Sequence, residues 1–191
     1  MIYVTRHGEA EKNVVGILRG RYDDDPLTEK GRAQAHTLAH DLEDVKFDRA
    51  FSSPLCRAIE TAKIVLGDEF KGEFKTDKRI RERGYGKFAG KGYKPYDGTA
   101  EFNIMASYNT KREREFKGVE NFAKMKRRIW GFLNWVKRKY PFENILVACH
   151  HDVMILVHAY VEGEPEDGDY NKEIYHTPNC GIVKIDNGGN V

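Results

Sequence analysis

Short β-prone segments alternate along this chain with helix-like segments of ten or more residues. This alternation is typical of an α/β fold, in which helices cover both faces of a mostly parallel sheet. We therefore expect a three-layer α/β/α sandwich. A chain of 191 residues has the length of one domain, so we expect a single domain spanning residues 1–191.

The predicted elements follow from periodicity and from start and stop signals. Strands are predicted at residues 2–4, 47–52, 73–80 (a polar edge strand), 144–149 and 181–186. The first helix covers residues 28–44 with Thr28 as its N-cap, and the second has Ser53 as N-cap and Pro54 as its first residue. A long amphipathic helix is predicted at residues 120–140, and a helix capped by Asp152 follows the fourth strand.

The periodicity of strands and helices is lost between residues 84 and 118, where glycines, tyrosines and mixed charges predominate. Long stretches of this kind inside a compact domain are usually functional. We expect this insertion to form a lid.

Composition excludes several classes of function. Lys and Arg exceed Asp and Glu by only two, 32 against 30, so the chain lacks the basic excess of a nucleic-acid-binding protein. No apolar run approaches the length of about 20 residues that spans a membrane. The three cysteines are far apart, which disfavours a disulfide framework and a cysteine zinc site. With no basic leader at the N-terminus, we expect a cytoplasmic protein.

The residues at the ends of three predicted strands indicate an anion site. Arg6 and His7 follow the first strand, Arg57 follows the second, and His150 follows the fourth. Ligands of open α/β sheets bind at the carboxyl ends of strands, and arginine forks match phosphate oxygens. Helices that start at these loops add N–H donors. The site therefore suits a phosphate group.

Two histidines beside a phosphate indicate a specific chemistry. One imidazole can attack phosphorus, provided that the attacking nitrogen carries no proton. The other can donate a hydrogen bond to the oxygens as negative charge develops. The leaving oxygen then needs a proton from a carboxylic acid. Composition alone does not identify this acid among 30 acidic residues.

Five ordered motifs resemble the histidine phosphatase superfamily, the phosphoglycerate mutase-like proteins. They are Arg6-His7-Gly8-Glu9 with Asn13, Asp25-Pro26-Leu27-Thr28, Ser52-Ser53-Pro54-Leu55-Cys56-Arg57, Arg81-Glu82-Arg83-Gly84, and Val147-Ala148-Cys149-His150. Gly118-Val119-Glu120-Asn121 is similar to a further family segment. The resemblance covers most of the chain.

The resemblance implies a role for each matched residue. His7 would be the phosphorylated nucleophile, and Arg6, Arg57 and His150 would bind the phosphate. Glu82 would be the proton donor, although its neighbours Arg79, Arg81 and Arg83 leave open a simple ion pair. Asn13 would lie at the rim of the pocket. The resemblance implies no metal and no cofactor, and a phosphoglycerate mutase-like fold with an insertion over the site.

The chain departs from the family pattern at two places. His151 stands where the family usually has glycine after the second histidine, and Arg19-Gly20 stands where it commonly has Gln-Gly. We include His151, Arg19 and Gly20 among the candidate substrate-binding residues. We hypothesise that Arg19 and Arg21 extend the positive pocket toward a second acidic group. A metal held by His150 and His151 is disfavoured because adjacent residues at a strand end point to opposite faces.

Three functions are open at this point. The first is a metal-independent phosphatase that acts on small phosphomonoesters, with inorganic phosphate as product. The second is a phosphoglycerate mutase, which we disfavour because the chain is short compared with the mutases it resembles. The third is a catalytically silent binder of a phosphorylated ligand. We expect no nucleic-acid partner and no membrane, while the identity of the substrate and a homodimer stay open.

Overall fold

The computed structural model describes residues 1–11, 20–21, 24–90, 118–165, 170 and 173–188. Within these ranges, five strands form one sheet: β1 (Ile2–Arg6), β2 (Arg49–Ser52), β3 (Glu73–Thr76), β4 (Ile145–Cys149) and β5 (Ile182–Ile185). Their order is β3-β2-β4-β1-β5, and only β5 is antiparallel to its neighbour. This confirms the predicted mostly parallel α/β sheet.

Helices cover both faces of the sheet. They are α1 (Glu29–Asp41), α2 (Cys56–Leu66), α3 (Phe122–Lys139) and α4 (His151–Glu162). Alternate residues of β4 divide between two cores: Ile145 and Val147 pack with α3 and α4, while Leu146 and Ala148 pack with α1 and α2. Side chains alternate across a strand, so this buried central strand separates the two cores. The three-layer prediction is confirmed.

Two predicted helix starts are wrong. Helix α2 begins at Cys56 rather than Pro54. The Ser53 hydroxyl is hydrogen-bonded to His150 at 2.7 Å and accepts from the Leu55 N–H only at 3.4 Å, while Asp24 Oδ1 accepts from the Cys56 N–H at 2.7 Å. Helix α4 begins at His151, and Asp152 lies inside its first turn instead of capping it. The predicted caps Thr28 of α1 and Gly67 after α2 are confirmed.

The polar edge segment is shorter as a strand than predicted. Strand β3 ends at Thr76, and Asp77 then caps a 3₁₀ turn (Lys78–Ile80) by accepting from the Arg79 N–H at 2.8 Å. This turn leads into the segment that carries Glu82.

The two ends of the predicted insertion meet. Tyr85 and Val119 form an isolated antiparallel bridge, and the Glu120 N–H donates to the Gly84 carbonyl at 2.7 Å. Residues 84–85 and 119–120 therefore lie together, while residues 91–117 of the predicted lid lie outside the described residues. None of the helices in the described ranges has the length and apolar character needed to cross a membrane.

Candidate active site

His7 lies directly after β1 with its ring in a defined tautomer. Its Nδ1 is 2.6 Å from the Gly8 carbonyl oxygen, which can only accept, so Nδ1 carries a proton. Its Nε2 is 3.2 Å from Nε of Arg57, which can only donate, so Nε2 carries a lone pair. The imidazole is therefore neutral and presents an unprotonated nitrogen to the site, as nucleophilic attack requires.

A close approach of two backbone segments supports the His7 loop. A Cβ atom at Gly8 would overlap the carbonyl oxygen of Gly31 at the start of α1. The Gly8 N–H donates to Thr61 Oγ1 at 3.0 Å, and the Thr61 hydroxyl donates to the Arg57 carbonyl at 2.7 Å. The loop after β1 is thereby tied to α1 and to α2 at once.

Arg57 is a buried cation on the first turn of α2. It is only 1% exposed, and its Nη1 lies 3.5 Å from Asp25 Oδ1 and 4.0 Å from Asp24 Oδ1. A charge buried to this extent is stable only with compensating partners. Two acidic residues and the His7 ring therefore hold the guanidinium beside the His7 imidazole.

His150 lies beside His7 because their strands are neighbours. Parallel strands β1 and β4 pair Arg6 with Cys149, so the next residues, His7 and His150, leave the sheet side by side. Their ring centroids are 5.2 Å apart, and His150 is fully buried. Its Nε2 is hydrogen-bonded to Ser53 Oγ at 2.7 Å, which links the second histidine to the end of β2.

Arg6 and the backbone of His7 are held by the loop that precedes β5. Arg6 Nη1 donates to the Thr177 carbonyl at 2.8 Å, and the Asn179 side-chain amide donates to the His7 carbonyl at 2.8 Å. Sequence analysis missed Asn179, Asp25 and Ser53 as supporting residues. Asp25 and Ser53 lie in recognised motifs, whereas nothing in the local sequence marks Asn179.

Glu82 is a buried carboxyl group whose pKa is raised to about 7. Burial is the largest cause, and the nearby charge of Asp152 raises the pKa further; the Arg83 N–H, Arg57 and Arg6 oppose these effects. The influence of Arg57 and Arg6 places this carboxyl in the electrostatic field of the same site. A group with this pKa can both donate and accept a proton near neutral pH.

Asp152 has a different environment from the one predicted. It accepts a hydrogen bond from the Tyr85 hydroxyl at 2.9 Å and lies 3.7 Å from Arg83 Nη1. Tyr85 and Arg83 both come from the segment next to Glu82, so Asp152 joins α4 to that segment.

The remaining candidate residues fall into two groups. Asn13 and Arg19 lie outside the described residues, while Gly20 adopts a positive φ of 64° against Arg83 and Tyr85. Arg21 forms an ion pair with Glu120 at 2.7 Å, so a carboxylate of the protein itself compensates its charge. This arrangement does not favour the hypothesis that Arg21 receives an acidic group of the substrate.

His151 has a neutral imidazole in the electrostatic field of Arg6. Burial lowers its pKa to about 4, with Arg6 and His176 contributing and Asp152 opposing. Its ring lies 5.2 Å from that of His176, and its Nδ1 is buried without a hydrogen-bond partner among the described residues. The described residues contain no group of three or more His, Cys, Asp or Glu side chains placed to hold a metal ion.

The fold is that of an α/β protein, and its cluster of two imidazoles with two guanidinium groups suits the binding of a phosphate group. The family model of the histidine phosphatase superfamily (branch 1) matches residues 2–191. The chain belongs to this superfamily.

A phosphatase is among the proteins to which the chain is similar. The chain is 30% identical to phosphoserine phosphatase 1 of Hydrogenobacter thermophilus over 149 residues, which is 78% of this chain and 70% of that protein. The solved structure of Bacillus stearothermophilus YhfR superposes with a TM-score of 0.83 at 26% identity, covering 95% of this chain and 88% of that one.

A mutase is also among the relatives. The chain is 34% identical to the 2,3-bisphosphoglycerate-dependent phosphoglycerate mutase of Thermoplasma acidophilum over 124 residues, 65% of this chain and 60% of the mutase. These shares mean that this mutase is only slightly longer than the present chain. Chain length therefore does not separate the two activities, contrary to the expectation from sequence.

Proposed function

We propose that this protein is a phosphatase that hydrolyses small phosphomonoesters through a phosphohistidine at His7. The observation that carries the proposal is the unprotonated Nε2 of His7, 3.2 Å from the buried Arg57 and beside the His150 ring. This arrangement supports the roles of a nucleophile, a fixed cation and a second imidazole that act on one phosphate group.

In the first step, His7 Nε2 attacks phosphorus and the bond from phosphorus to the leaving oxygen breaks. Arg6, Arg57 and His150 neutralise the charge on the three remaining oxygens, and Glu82 gives its proton to the departing alkoxide. In the second step, ionised Glu82 takes a proton from water, which attacks phosphorus and breaks the P–N bond. Inorganic phosphate leaves, and His7 and protonated Glu82 are regenerated. The pKa of Glu82 near 7 suits both transfers.

The proposal is tested by turnover of p-nitrophenyl phosphate and of a panel of phosphorylated metabolites, each with a chelator present. We expect phosphate release by the wild-type protein and none above background by the His7→Ala variant. Equal turnover by the two proteins would reject His7 as nucleophile. Loss of activity with the chelator would reject the metal-independent mechanism.

A second candidate function is phosphoglycerate mutase, which the 34% identity to a mutase favours. The same phosphohistidine would return the phosphoryl group to a second oxygen of the substrate instead of to water. Incubation with 3-phosphoglycerate separates the two functions: a phosphatase releases inorganic phosphate, whereas a mutase forms 2-phosphoglycerate.

A further inference from the structure

One arginine holds three backbone carbonyls in and next to the segment that carries Glu82. Residues 81–84 belong to no strand or helix. Arg128 of α3 instead donates from Nη1 to the carbonyls of Arg79 at 2.6 Å and Arg81 at 2.7 Å, and from Nη2 to that of Glu82 at 3.4 Å. One guanidinium group thus does for this segment what a neighbouring strand does for β1 and β4.

Glu120 fixes the orientation of Arg128. Its two carboxylate oxygens accept from Nε and Nη2 of Arg128, both at 2.9 Å, which is the fork-to-fork geometry that sets the plane of a guanidinium group. Glu120 is only 3% exposed and also pairs with Arg21 at 2.7 Å. Burial acts to raise the Glu120 pKa, but Arg128 and Arg21 outweigh it and lower the pKa, so the carboxylate is ionised at neutral pH.

The same carboxylate reaches the far end of the segment. The Gly84 N–H approaches Glu120 Oε2 at 3.4 Å, and a Cβ atom at Gly84 would lie 2.5 Å from the Arg21 guanidinium. Arg83 Nε donates to the Glu120 carbonyl at 2.8 Å. Residues 79–84 are therefore held at both ends by the pair of Arg128 and Glu120.

A buried ion pair costs desolvation free energy, and apolar side chains of similar size often stabilise a fold as well as it does. Its advantage is directional, since it fixes where the backbone lies. We infer that Arg128, oriented by Glu120, is a positioning residue that sets the place of the Glu82 carboxyl relative to the leaving group. This inference rests on the proposed function, because it takes Glu82 as the proton donor.

The inference has a consequence that a merely structural role lacks. The p-nitrophenolate ion leaves without a proton, whereas the alkoxide of glycerol phosphate needs one. The value of kcat/KM reports only the steps up to departure of the alcohol. Displacement of Glu82 must therefore lower kcat/KM for glycerol phosphate far more than for p-nitrophenyl phosphate.

The experiment measures this ratio of kcat/KM values for wild type, Arg128→Gln, Arg128→Lys, Glu82→Gln and Arg127→Gln. Arg127 is the exposed neighbour of Arg128 on α3 and serves as the matched control. General acid catalysis typically contributes about 10²–10⁴-fold, so the ratio should change by that factor in Glu82→Gln. We expect a change of about tenfold or more in Arg128→Gln, a smaller one in Arg128→Lys, and none in Arg127→Gln.

Each result has one meaning. A selective loss with glycerol phosphate in Arg128→Gln supports the positioning role, and Arg128→Lys, which keeps the charge opposite Glu120, provides the same test if Arg128→Gln does not fold. Equal losses with both substrates would overturn the inference and leave the proposed function intact. A selective loss in Arg127→Gln would also overturn it. A wild-type protein inactive on both substrates would instead overturn the proposed function, and the inference with it.

Discussion

The two sides of the candidate site are built in different ways. The nucleophile side contains His7, the proposed nucleophile, and His150, and the proton-donor side contains Glu82, the proposed proton donor. His7 and His150 follow two paired parallel strands, so the hydrogen-bond register of β1 and β4 sets their separation. Glu82 lies in a segment without regular structure, and the side chains of Arg128 and Glu120 fix its place. The positions of the two histidines thus depend on many backbone hydrogen bonds, whereas the position of Glu82 depends on a few charged side chains.

Single substitutions therefore have different consequences on the two sides. Removing a side chain on the nucleophile side leaves the hydrogen bonds between β1 and β4 intact and removes only the interactions of that side chain. On the donor side, a substitution of Arg128 also releases the three backbone carbonyls that its guanidinium group binds, so it moves Glu82 as well.

Arg57→Gln tests the nucleophile side most severely. The variant removes a buried positive charge that contacts His7 Nε2, and loss of one preorganised charge or donor typically lowers kcat by about 10²–10³-fold. We expect a loss of this size with p-nitrophenyl phosphate and with glycerol phosphate alike, measured by steady-state kinetics. Lys63→Gln, at an exposed position of the same helix, is the control. A loss confined to glycerol phosphate would place Arg57 on the donor side instead.

Glu82→Gln tests how the Glu82 carboxyl makes the free energy of unfolding depend on pH. In the folded protein the Glu82 pKa is about 7, above the ordinary value of 4.5, so the folded state holds this proton more tightly than the unfolded state. Wild-type stability should therefore fall as pH rises from about 4.5 through about 7, by up to about 3 kcal/mol, and the variant should lack this fall.

Denaturant unfolding at about pH 5 and about pH 8 measures this effect. The exposed Glu69, replaced by Gln, provides the control. Identical pH profiles for Glu82→Gln and wild type would contradict the raised pKa and, with it, the ability of Glu82 to shuttle protons near neutral pH.

Ser53→Ala removes the hydroxyl that is hydrogen-bonded to His150 Nε2 at 2.7 Å. Because a single hydrogen bond contributes about 0.5–1.5 kcal/mol, we expect kcat/KM to fall by about 3- to 10-fold for both test substrates. Ser52→Ala is a close control, since the Ser52 hydroxyl donates to a backbone carbonyl at 2.8 Å and does not contact His150. Equal effects of the two variants would mean that Ser53 only supports the fold.

Asn121→Ala is expected to have the smallest effect. The Asn121 side chain caps α3 by accepting from the Lys124 N–H at 2.8 Å, next to Glu120. Loss of such a cap costs about 1 kcal/mol, which thermal or denaturant unfolding measures, and Asn121→Ser should restore most of it. If Asn121→Ala left stability unchanged, the start of α3 would be held by Glu120 and its partners rather than by its cap.

The two sides also differ in how far the sequence predicts them. The strand-end position of His7 and His150 follows from a topology rule, because parallel neighbours deliver their next residues to one edge. The amphipathic helix predicted at residues 120–140 follows from its periodicity, and α3 buries six apolar side chains. Local pattern and tertiary structure agree at these positions.

The errors lie where a long-range contact overrides a local preference. Ser53 and Asp152 have the composition of helix caps, but the first binds His150 and the second binds Tyr85. The pair of Arg128 and Glu120 joins α3 to residues almost 50 positions earlier in the chain. No local periodicity encodes such a partner, since Arg128 has the pattern of an ordinary polar helix face.

The central claim is that His7 carries the phosphoryl group. The most direct test is a rapid alkaline quench of the protein during turnover of a phosphate-labelled substrate, followed by peptide mapping, since phosphohistidine survives alkali and is lost in acid. The account predicts label on the peptide that contains His7, more of it in Glu82→Gln, where hydrolysis of the intermediate is slowed, and none in His7→Ala. Label on another residue, or full turnover by His7→Ala without any, would contradict the account.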